Sequence, residues 1–209
     1  MLVNVAQMIK PLTIPIDRRN QQMARPIPGR FTCSNVAMVS FTAEVAVFGL
    51  AILTVSTSGY HGQREDTSGQ AIKDALEPQG YQVVRYEVVS DDQNMIADRL
   101  SQWADAADVD LIVTTGGTGL GPRDVTPEAC LSIIDKEVPG LAEAMRASTL
   151  QFTPMAMLSR SVAGIRGKTL IITLPGSTKG VKECLEVVNP VLPHALELLS
   201  KETVSEHPR

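Results

Sequence analysis

The sequence predicts a three-layer α/β/α fold with a mostly parallel central sheet. Segments rich in Val, Ile and Leu alternate along the chain with segments whose apolar residues recur at helical spacing. The strand segments carry few polar residues, which is typical of strands buried on both faces of a sheet. Aromatic residues make up only 4% of the chain, so the core must be aliphatic. Strands that alternate with helices form parallel sheets covered by helices.

By composition, the 209 residues divide into a basic head, an acidic body and a short polar tail. Residues 1–43 carry five bases and one acid, a net charge of +4; since the whole chain carries −4, the remainder carries −8. Four prolines and no sustained periodicity predict a poorly ordered extension there. Its composition also resembles a transit peptide, and a misassigned start is a third explanation. We expect one domain over residues 44–200, with the tail at 201–209.

The residue pattern in the first half of this domain predicts two strands, each followed by a helix. The apolar run 45–55 is a buried strand, and 67–76 is a helix with Asp66 or Ser68 as its N-cap and a proline and a glycine at its end. Residues 81–89 alternate between apolar and polar side chains, which indicates a strand. The helix that follows has apolar residues at 4-3-4 spacing: Ile96, Leu100, Trp103 and Ala107.

The second half continues the alternation. A short strand at 111–115 leads into a glycine-rich loop, and the next helix begins with Thr126 as N-cap and Pro127 in the first turn. We assign the apolar Met155, Met157 and Leu158 to core packing. The remaining predicted elements are a helix over 141–150, a strand over 169–174, and closing helices over 179–188 and 191–200.

Ligands of parallel sheets bind beyond the carboxyl ends of the strands, which directs attention to the loops at 54–56, 116–119 and 175–177. The second loop is rich in glycine, so its backbone N–H groups can approach an anion closely. It is not a Walker A loop, because no Gly-Lys-Ser/Thr follows. A tight connection without a ligand is the alternative. The residues concerned are Gly116, Gly117, Thr118 and Gly119.

Acidic residues lie near two of the predicted strand ends. Asp124 follows Arg123 in a loop of glycine and proline, where a carboxylate can hold Mg²⁺ and the metal can bridge nucleotide phosphates. Alternatively, Asp124 caps a turn beside a solvated Arg123. Asp91 and Asp92 follow the second strand; we predict that Asp92 caps the next helix, and for Asp91 both a cap and a cation ligand stay open.

The third loop, Pro175-Gly176-Ser177, precedes a predicted helix. Ser177 and Lys179 near the N-terminus of this helix could hold a second phosphate, aided by the helix dipole and the free N–H groups. We expect this loop and the glycine-rich loop to lie side by side and to form a cradle for anionic oxygens.

Composition argues against several other classes of protein. An acidic balance does not suit a dedicated nucleic-acid binder, and no apolar run reaches the ~18–20 residues of a membrane helix. The cysteines, Cys33, Cys130 and Cys184, are too far apart for a disulfide framework or a zinc site. We expect a reducing, cytoplasmic location and no catalytic thiol.

The segments Thr114–Gly119 (TTGGTG) and Pro122–Ala129 (PRDVTPEA) closely resemble the MogA/MoaB family of molybdenum-cofactor biosynthesis, which includes the gephyrin G domain. The resemblance extends over about residues 45–200. Other matching segments are Ala51–Ser56, Asp66–Gly69, Met157–Ser161, Gly164–Gly167 and Pro175–Lys179.

This resemblance implies a molybdopterin adenylyltransferase with a MogA-like fold, which transfers AMP from Mg-ATP to the terminal phosphate of molybdopterin and releases pyrophosphate. It also implies a homotrimer and a hand-over of product to a molybdate-inserting, MoeA-like protein. By motif position, Asp91 and Asp124 match the two essential acids, which we expect to position Mg²⁺ and the reacting phosphates. The positions that match substrate-contacting residues are Ser68, Gly116, Gly117, Thr118, Gly119, Arg123, Pro175, Gly176, Ser177 and Lys179.

The chain departs from the family at Thr57, where many members carry Asp after the Val-Ser pair. Some MoaB relatives lack adenylylation activity and also lack the Arg-Asp pair, so the presence of Arg123 and Asp124 favours an active enzyme. A non-catalytic, MoaB-like molybdopterin-binding trimer is the alternative. An unrelated nucleotide-binding domain of the same architecture is a more distant one.

Overall fold

The structure of the protein, a computed structural model, describes residues 47–200. The predictions for the head at 1–43, including Cys33, and for the tail at 201–209 lie outside these residues. Among the described helices, none is both long enough and apolar enough to cross a bilayer.

A six-stranded sheet in the order β2-β1-β3-β6-β5-β4 forms the middle layer. Neighbours among β2, β1, β3 and β6 run parallel, whereas β5 and β4 are antiparallel additions at one edge. The predicted mostly parallel sheet is therefore confirmed. The strands are β1 (Phe48–Val55), β2 (Tyr81–Val89), β3 (Leu111–Thr115), β4 (Lys136–Glu137), β5 (Ala163–Arg166) and β6 (Thr169–Leu174).

The helices are α1 (Thr57–Tyr60), α2 (Thr67–Leu76), α3 (Gln93–Ala104), α4 (Thr126–Leu131), α5 (Pro139–Thr149), α6 (Thr178–Val188) and α7 (Leu192–Ser200), with 3₁₀ turns at Glu77–Gln79, Pro154–Leu158 and Asn189–Val191. Helices α2, α3 and α6 begin where a side chain accepts a hydrogen bond from an otherwise unpaired backbone N–H group. Asp66, Asp92 and Ser177 do so for Gly69, Met95 and Gly180, which confirms the predicted caps at Asp66 and Asp92.

Two apolar layers cover the sheet, one on each face. Leu50 and Ile52 of β1 point into a core closed by α2, α5, α6 and α7. Ala51 and Leu53 of the same strand point the other way, into a core closed by α3 and α4 that includes Trp103. Because side chains alternate across a strand, a strand that is apolar at every position can only be satisfied between two helix layers.

The structure corrects two sequence predictions and adds three short elements that were not predicted. Helix α3 ends at Ala104, so Ala107 lies in the following turn. Thr126 is the first residue of α4 and Val125 is its cap, because the Thr126 hydroxyl donates to the carbonyl of Gly116 instead of capping the helix. The short strands β4 and β5 were not predicted, and neither was α1.

The assignment of Met155, Met157 and Leu158 to the core is wrong. Their side chains are 61%, 67% and 47% exposed, respectively. They belong to the 3₁₀ turn Pro154–Leu158, in which only Ala156 is buried. This turn does not pack a continuous face against the sheet, so its apolar side chains project outward.

Asp66 links α2 to two strands of the sheet. Its Oδ2 accepts hydrogen bonds from the hydroxyls of Thr54 in β1, at 2.6 Å, and Tyr86 in β2, at 2.5 Å. Its Oδ1 accepts from Gly69 N and Ser68 Oγ. Partial burial alone would raise the pKa of Asp66, but these hydrogen bonds together lower it below its ordinary value of 3.8.

Replacing Asp66 with Asn should destabilise the fold by about 1–3 kcal/mol at pH 7. Both carboxylate oxygens of Asp66 accept hydrogen bonds, and the NH₂ group of Asn cannot replace the oxygen that accepts from the hydroxyls of Thr54 and Tyr86. Since the folded-state pKa is below 3.8, this stabilisation is complete above that pH and disappears as the pH falls through the folded-state value. Chemical unfolding of both proteins from pH 7 to pH 3 measures it. Asp74→Asn, an exposed change in the same helix, is the control; equal stability of Asp66→Asn and wild type at pH 7 would contradict the prediction.

Candidate active site

The carboxyl ends of β1, β3 and β6 lie side by side, because these strands are parallel neighbours. The loops that follow β3 and β6 are joined directly: Gly116 N donates to Leu174 O at 3.1 Å, and Thr115 Oγ1 donates to Pro175 O at 2.8 Å. The predicted adjacency of the glycine-rich loop and the Pro-Gly-Ser loop is confirmed. Strand order reverses between β1 and β3, and ligands of open α/β sheets bind at such a crevice.

Gly116 and Gly117 allow the loop after β3 to fold closely over the end of β1. Both have positive φ angles, +96° and +64°, which glycine adopts readily. A Cβ at Gly116 would lie 2.3 Å from Val55 O, and one at Gly117 would lie 2.3 Å from Thr126 Oγ1. A side chain at either position would therefore displace the loop.

Where the loop folds over the end of β1, three consecutive backbone N–H groups have no hydrogen-bond acceptor among the described residues. Within residues 47–200, the N–H groups of Gly117, Thr118 and Gly119 donate to no protein acceptor. Thr118 itself is buried. Unpaired amides at the end of a strand form a binding surface for an anion, as the glycine spacing predicts.

Two cavities meet at this edge of the sheet, and Gly117 and Gly176 line both of them. The smaller cavity, of about 360 Å³, also contains the predicted site residues Ser68, Asp91, Gly116 and Arg123. The larger, of about 590 Å³, contains the predicted residues Thr118, Gly119, Asp124, Pro175, Ser177 and Lys179. Every predicted site residue thus lines one of two adjoining cavities, but the two acids lie in different ones.

Asp91 in the smaller cavity is held in place by Thr57. Its Oδ2 accepts hydrogen bonds from Thr57 N at 2.8 Å and Thr57 Oγ1 at 2.6 Å. No described residue donates to its other oxygen. The residue that departs from the family pattern is therefore the one that orients this carboxylate, and the cap role that stayed open for Asp91 belongs to Asp92 alone.

The smaller cavity also contains positive charge. Arg123 and Arg64 line it, and neither forms an ion pair within the part of the chain that the structure describes. Ser68 donates its hydroxyl proton to Asp66 Oδ1 at 3.1 Å, so only its oxygen lone pairs remain for a ligand. Sequence reasoning missed Arg64, because it lies in a loop without a motif and approaches Arg123 only in the folded chain.

Asp124 has two roles: one carboxylate oxygen caps a turn, and the residue also lines the larger cavity. Its Oδ2 accepts from Gly121 N at 2.7 Å, which realises the turn-capping alternative. A Cβ at Gly119 or Gly121 would lie within 3.0 Å of this oxygen, so both glycines make room for the carboxylate. Its Oδ1 receives no hydrogen bond from the described residues.

The other walls of the larger cavity are apolar and basic. The exposed turn Pro154–Leu158 contributes Met155 and Leu158, and Arg146 of α5 adds a guanidinium group. Lys179 Nζ lies 3.6 Å from Glu183, whose carboxylate also lines the cavity, and Ser177 caps α6 through its hydroxyl oxygen. The sequence does not reveal Arg146 or Met155 as cavity residues, because their positions depend on how α5 packs.

Burial raises the pKa of both cysteines in the described residues, of which only Cys184 lines a cavity of the site. Cys184 lines the larger cavity, but burial and the nearby Glu183 raise its pKa to about 11. Burial raises the pKa of Cys130 to about 12. Both are free cysteines, and their raised pKa values keep the two thiols protonated near neutral pH.

No group of three or more His, Cys, Asp or Glu side chains in residues 47–200 could enclose a metal ion. Asp91 and Asp124 each retain one carboxylate oxygen without a hydrogen bond. Mg²⁺ is commonly held by one or two carboxylates together with substrate phosphates and water. The two acids fit that kind of binding and not a site built from protein ligands alone.

Comparison with known proteins agrees with this geometry. A family described as a probable molybdopterin binding domain matches residues 51–194. The chain is 42% identical over 152 residues to a molybdopterin adenylyltransferase of Helicobacter pylori, covering 72% of this chain and 86% of the relative. It is 39% identical over 157 residues to molybdenum cofactor biosynthesis protein B of Escherichia coli, covering 74% and 91%.

Among solved structures, the molybdopterin biosynthesis enzyme MoaB of Thermus thermophilus superimposes with a TM-score of 0.71 and 53% sequence identity, covering 76% of this chain and all of that one. The family match spans all the residues that form the two cavities. The chain therefore belongs to the MogA/MoaB family of molybdenum-cofactor biosynthesis proteins.

Proposed function

We propose that the protein is a molybdopterin adenylyltransferase, which transfers AMP from ATP to the terminal phosphate of molybdopterin. The observation that carries this proposal is the pair of adjoining cavities, which share Gly117 and Gly176 and each contain one of the two predicted catalytic acids, Asp91 and Asp124. Two substrates that react through their phosphates need two binding volumes that meet at one anion-binding surface. The H. pylori relative carries this activity in its name.

The two cavities suit different parts of the substrates. The smaller one is polar and is lined by hydroxyl groups, backbone amides, two arginines and three acidic residues, so it suits sugar and phosphate groups that bind together with a cation. The larger one has a wall of methionine, leucine and alanine side chains, so it suits a flat ring. The unpaired amides of Gly117, Thr118 and Gly119 lie where the cavities adjoin and would hold the reacting phosphate oxygens.

In this reaction, an oxygen of the molybdopterin phosphate forms a bond to the α-phosphorus of ATP, and the bond to the β-phosphate breaks and releases pyrophosphate. The protein contributes by binding and alignment, because phosphoryl-type transfer requires little covalent chemistry from it. Asp91 and Asp124 would be the protein ligands of Mg²⁺, which supplies neutralisation of phosphate charge when bound. Arg123, Lys179 and Arg64 would steady the remaining phosphate oxygens.

The other expectations also remain proposals. We propose a homotrimer, a cytoplasmic location and delivery of the adenylylated product to a molybdate-inserting, MoeA-like protein. We likewise propose that residues 1–43 are an extension outside the catalytic domain at 44–200, with a short tail at 201–209.

The test is to incubate the purified protein with molybdopterin, Mg²⁺ and ATP labelled at the α-phosphate. We expect label to appear in the pterin and an equal amount of pyrophosphate to be released. An ATP analogue with a methylene group between the α- and β-phosphates is the control, because its bond cannot be cleaved. Absence of labelled pterin, with molybdopterin bound, would overturn the proposal.

That outcome would favour the second candidate, a non-catalytic molybdopterin-binding trimer. The observation that favours this second candidate is that two relatives are named differently from an adenylyltransferase. The E. coli relative is a molybdenum cofactor biosynthesis protein B, and the T. thermophilus relative is a MoaB. Binding of a nucleotide without any binding of a pterin would instead indicate an unrelated nucleotide-binding domain.

A further inference from the structure

Arg160 lies behind the glycine-rich loop and lines neither cavity. Its backbone N–H donates to Thr118 O at 2.9 Å, and its Nε donates to Gly119 O at 2.7 Å. Its Nη2 donates to Asp124 O, and its Nη1 pairs with the Glu128 carboxylate. One residue thus reaches both ends of the segment that runs from the unpaired amides to the first turn of α4.

These bonds determine where the unpaired amides point. In a trans peptide the C=O and N–H groups point in opposite directions. The Thr118 carbonyl, held by the backbone N–H of Arg160, therefore turns the N–H of Gly119 away from Arg160, and the guanidinium group of Arg160 holds the next carbonyl, that of Gly119, on the same side. Thr118, Gly119 and Asp124 all line the larger cavity, whereas Arg160 does not.

The same guanidinium group restrains Asp124. It binds the Asp124 carbonyl from one side, while Gly121 N binds the Asp124 carboxylate within the loop. The Glu128 carboxylate, in the first turn of α4, orients the guanidinium plane. Arginine can bind three acceptors at once because its donors form a rigid, planar fork, which lysine does not provide.

We propose that Arg160 is a positioning residue for AMP transfer: its side chain fixes the glycine-rich loop at the Gly119 carbonyl and holds Asp124 in place, without contacting either substrate. This inference rests on the proposed function of the site. The sequence comparison of the Met157–Ser161 segment assigns it no such role, because the acceptors are 32 to 42 residues away along the chain.

Arg166 provides a matched control. It is also a partly exposed arginine that binds one carboxylate through two nitrogens, on Asp105, and one backbone carbonyl, that of Ile133. It lines neither cavity. Arg160→Lys and Arg166→Lys therefore remove similar interactions, one behind the site and one remote from it.

The experiment measures kcat, the KM for each substrate and the unfolding temperature of both variants. We expect Arg160→Lys to lower kcat about 10- to 100-fold, the effect typical of residues that orient a catalytic ligand, with each KM within about twofold of wild type. Arg166→Lys should retain wild-type kcat. Millimolar guanidinium should partly restore kcat of Arg160→Ala and leave Arg166→Ala unchanged.

The inference is overturned if kcat of Arg160→Lys stays within about twofold of wild type, or if both variants lose kcat equally and in proportion to stability. If Arg160→Lys does not fold, Glu128→Gln, which keeps both carbonyl contacts but removes the ion pair, should lower kcat by a smaller factor. If the wild type itself transfers no AMP, the proposed function fails. Amide exchange then decides the inference: faster exchange at residues 118–125 in Arg160→Lys supports it, and unchanged exchange refutes it.

Discussion

Replacing Asp124 with Asn is expected to lower kcat for AMP transfer by about 100-fold or more, while the affinity for molybdopterin changes less than about threefold. Asparagine keeps an oxygen that can accept from Gly121 N, so the turn that Asp124 caps should persist. What it loses is the negative charge beside the reacting phosphates. Steady-state kinetics and an equilibrium titration with molybdopterin measure the two effects separately.

Asp135→Asn is the matched control for this change. Its Oδ2 accepts from Gly167 N at 2.7 Å, the same distance at which the Asp124 carboxylate accepts from Gly121 N, but Asp135 lines neither cavity. We expect Asp135→Asn to retain the wild-type rate. A rate for Asp124→Asn equal to that of wild type, with binding unchanged, would remove Asp124 from the catalytic machinery.

Asp91→Asn is expected to have an effect of similar size, about 100-fold on kcat, for a related reason. The two donors of Thr57 hold one carboxylate oxygen of Asp91 and leave the other available in the smaller cavity. An amide in this position removes the charge, while its oxygen can still accept from both Thr57 donors and its NH₂ group replaces the available carboxylate oxygen. The kinetic measurements are the same as for Asp124→Asn.

The neighbouring Asp92→Asn separates loss of charge at the site from loss of charge nearby. Asp92 caps α3 through Met95 N, and asparagine is an equally good N-cap, so rate and stability should both stay near wild type. The double variant Asp91→Asn/Asp124→Asn adds one test. If both acids serve one event, it should be little slower than either single variant; multiplicative losses would mean that they act separately.

The parallel part of the fold could be predicted closely from the sequence. The bounds of β2, β3, β6 and α2 agree with the predicted ranges, because each element has a clear period and ends in proline, glycine or a capping side chain. The antiparallel edge of the sheet, strands β4 and β5, could not be predicted from the sequence. Strand β4 has two residues and β5 has four, too few to show an alternation that differs from chance.

Some residues of the candidate site could likewise be predicted from the sequence, and others could not. Gly116 and Gly117 could be identified because their chemistry follows from residue type and position at a strand end, whereas Asp91 and Asp124 were singled out by the motifs that resemble the family. Arg64 and Arg146 could not, since an arginine in a loop or a helix has the same local pattern whether or not it lines a cavity. Arg160 was part of a matching segment, but its role depends on acceptors that lie far away in the chain.

Residue type and order along the chain were sufficient for the layered architecture and the glycine-rich strand ends, because strand periodicity and glycine spacing are local properties. The family and the two acids followed from contiguous motifs that resemble known proteins. The separation of the acids into two cavities, the hold of Thr57 on Asp91 and the contacts of Arg160 required the folded chain. They depend on distances between loops that follow different strands, and the register and order of the sheet determine those distances.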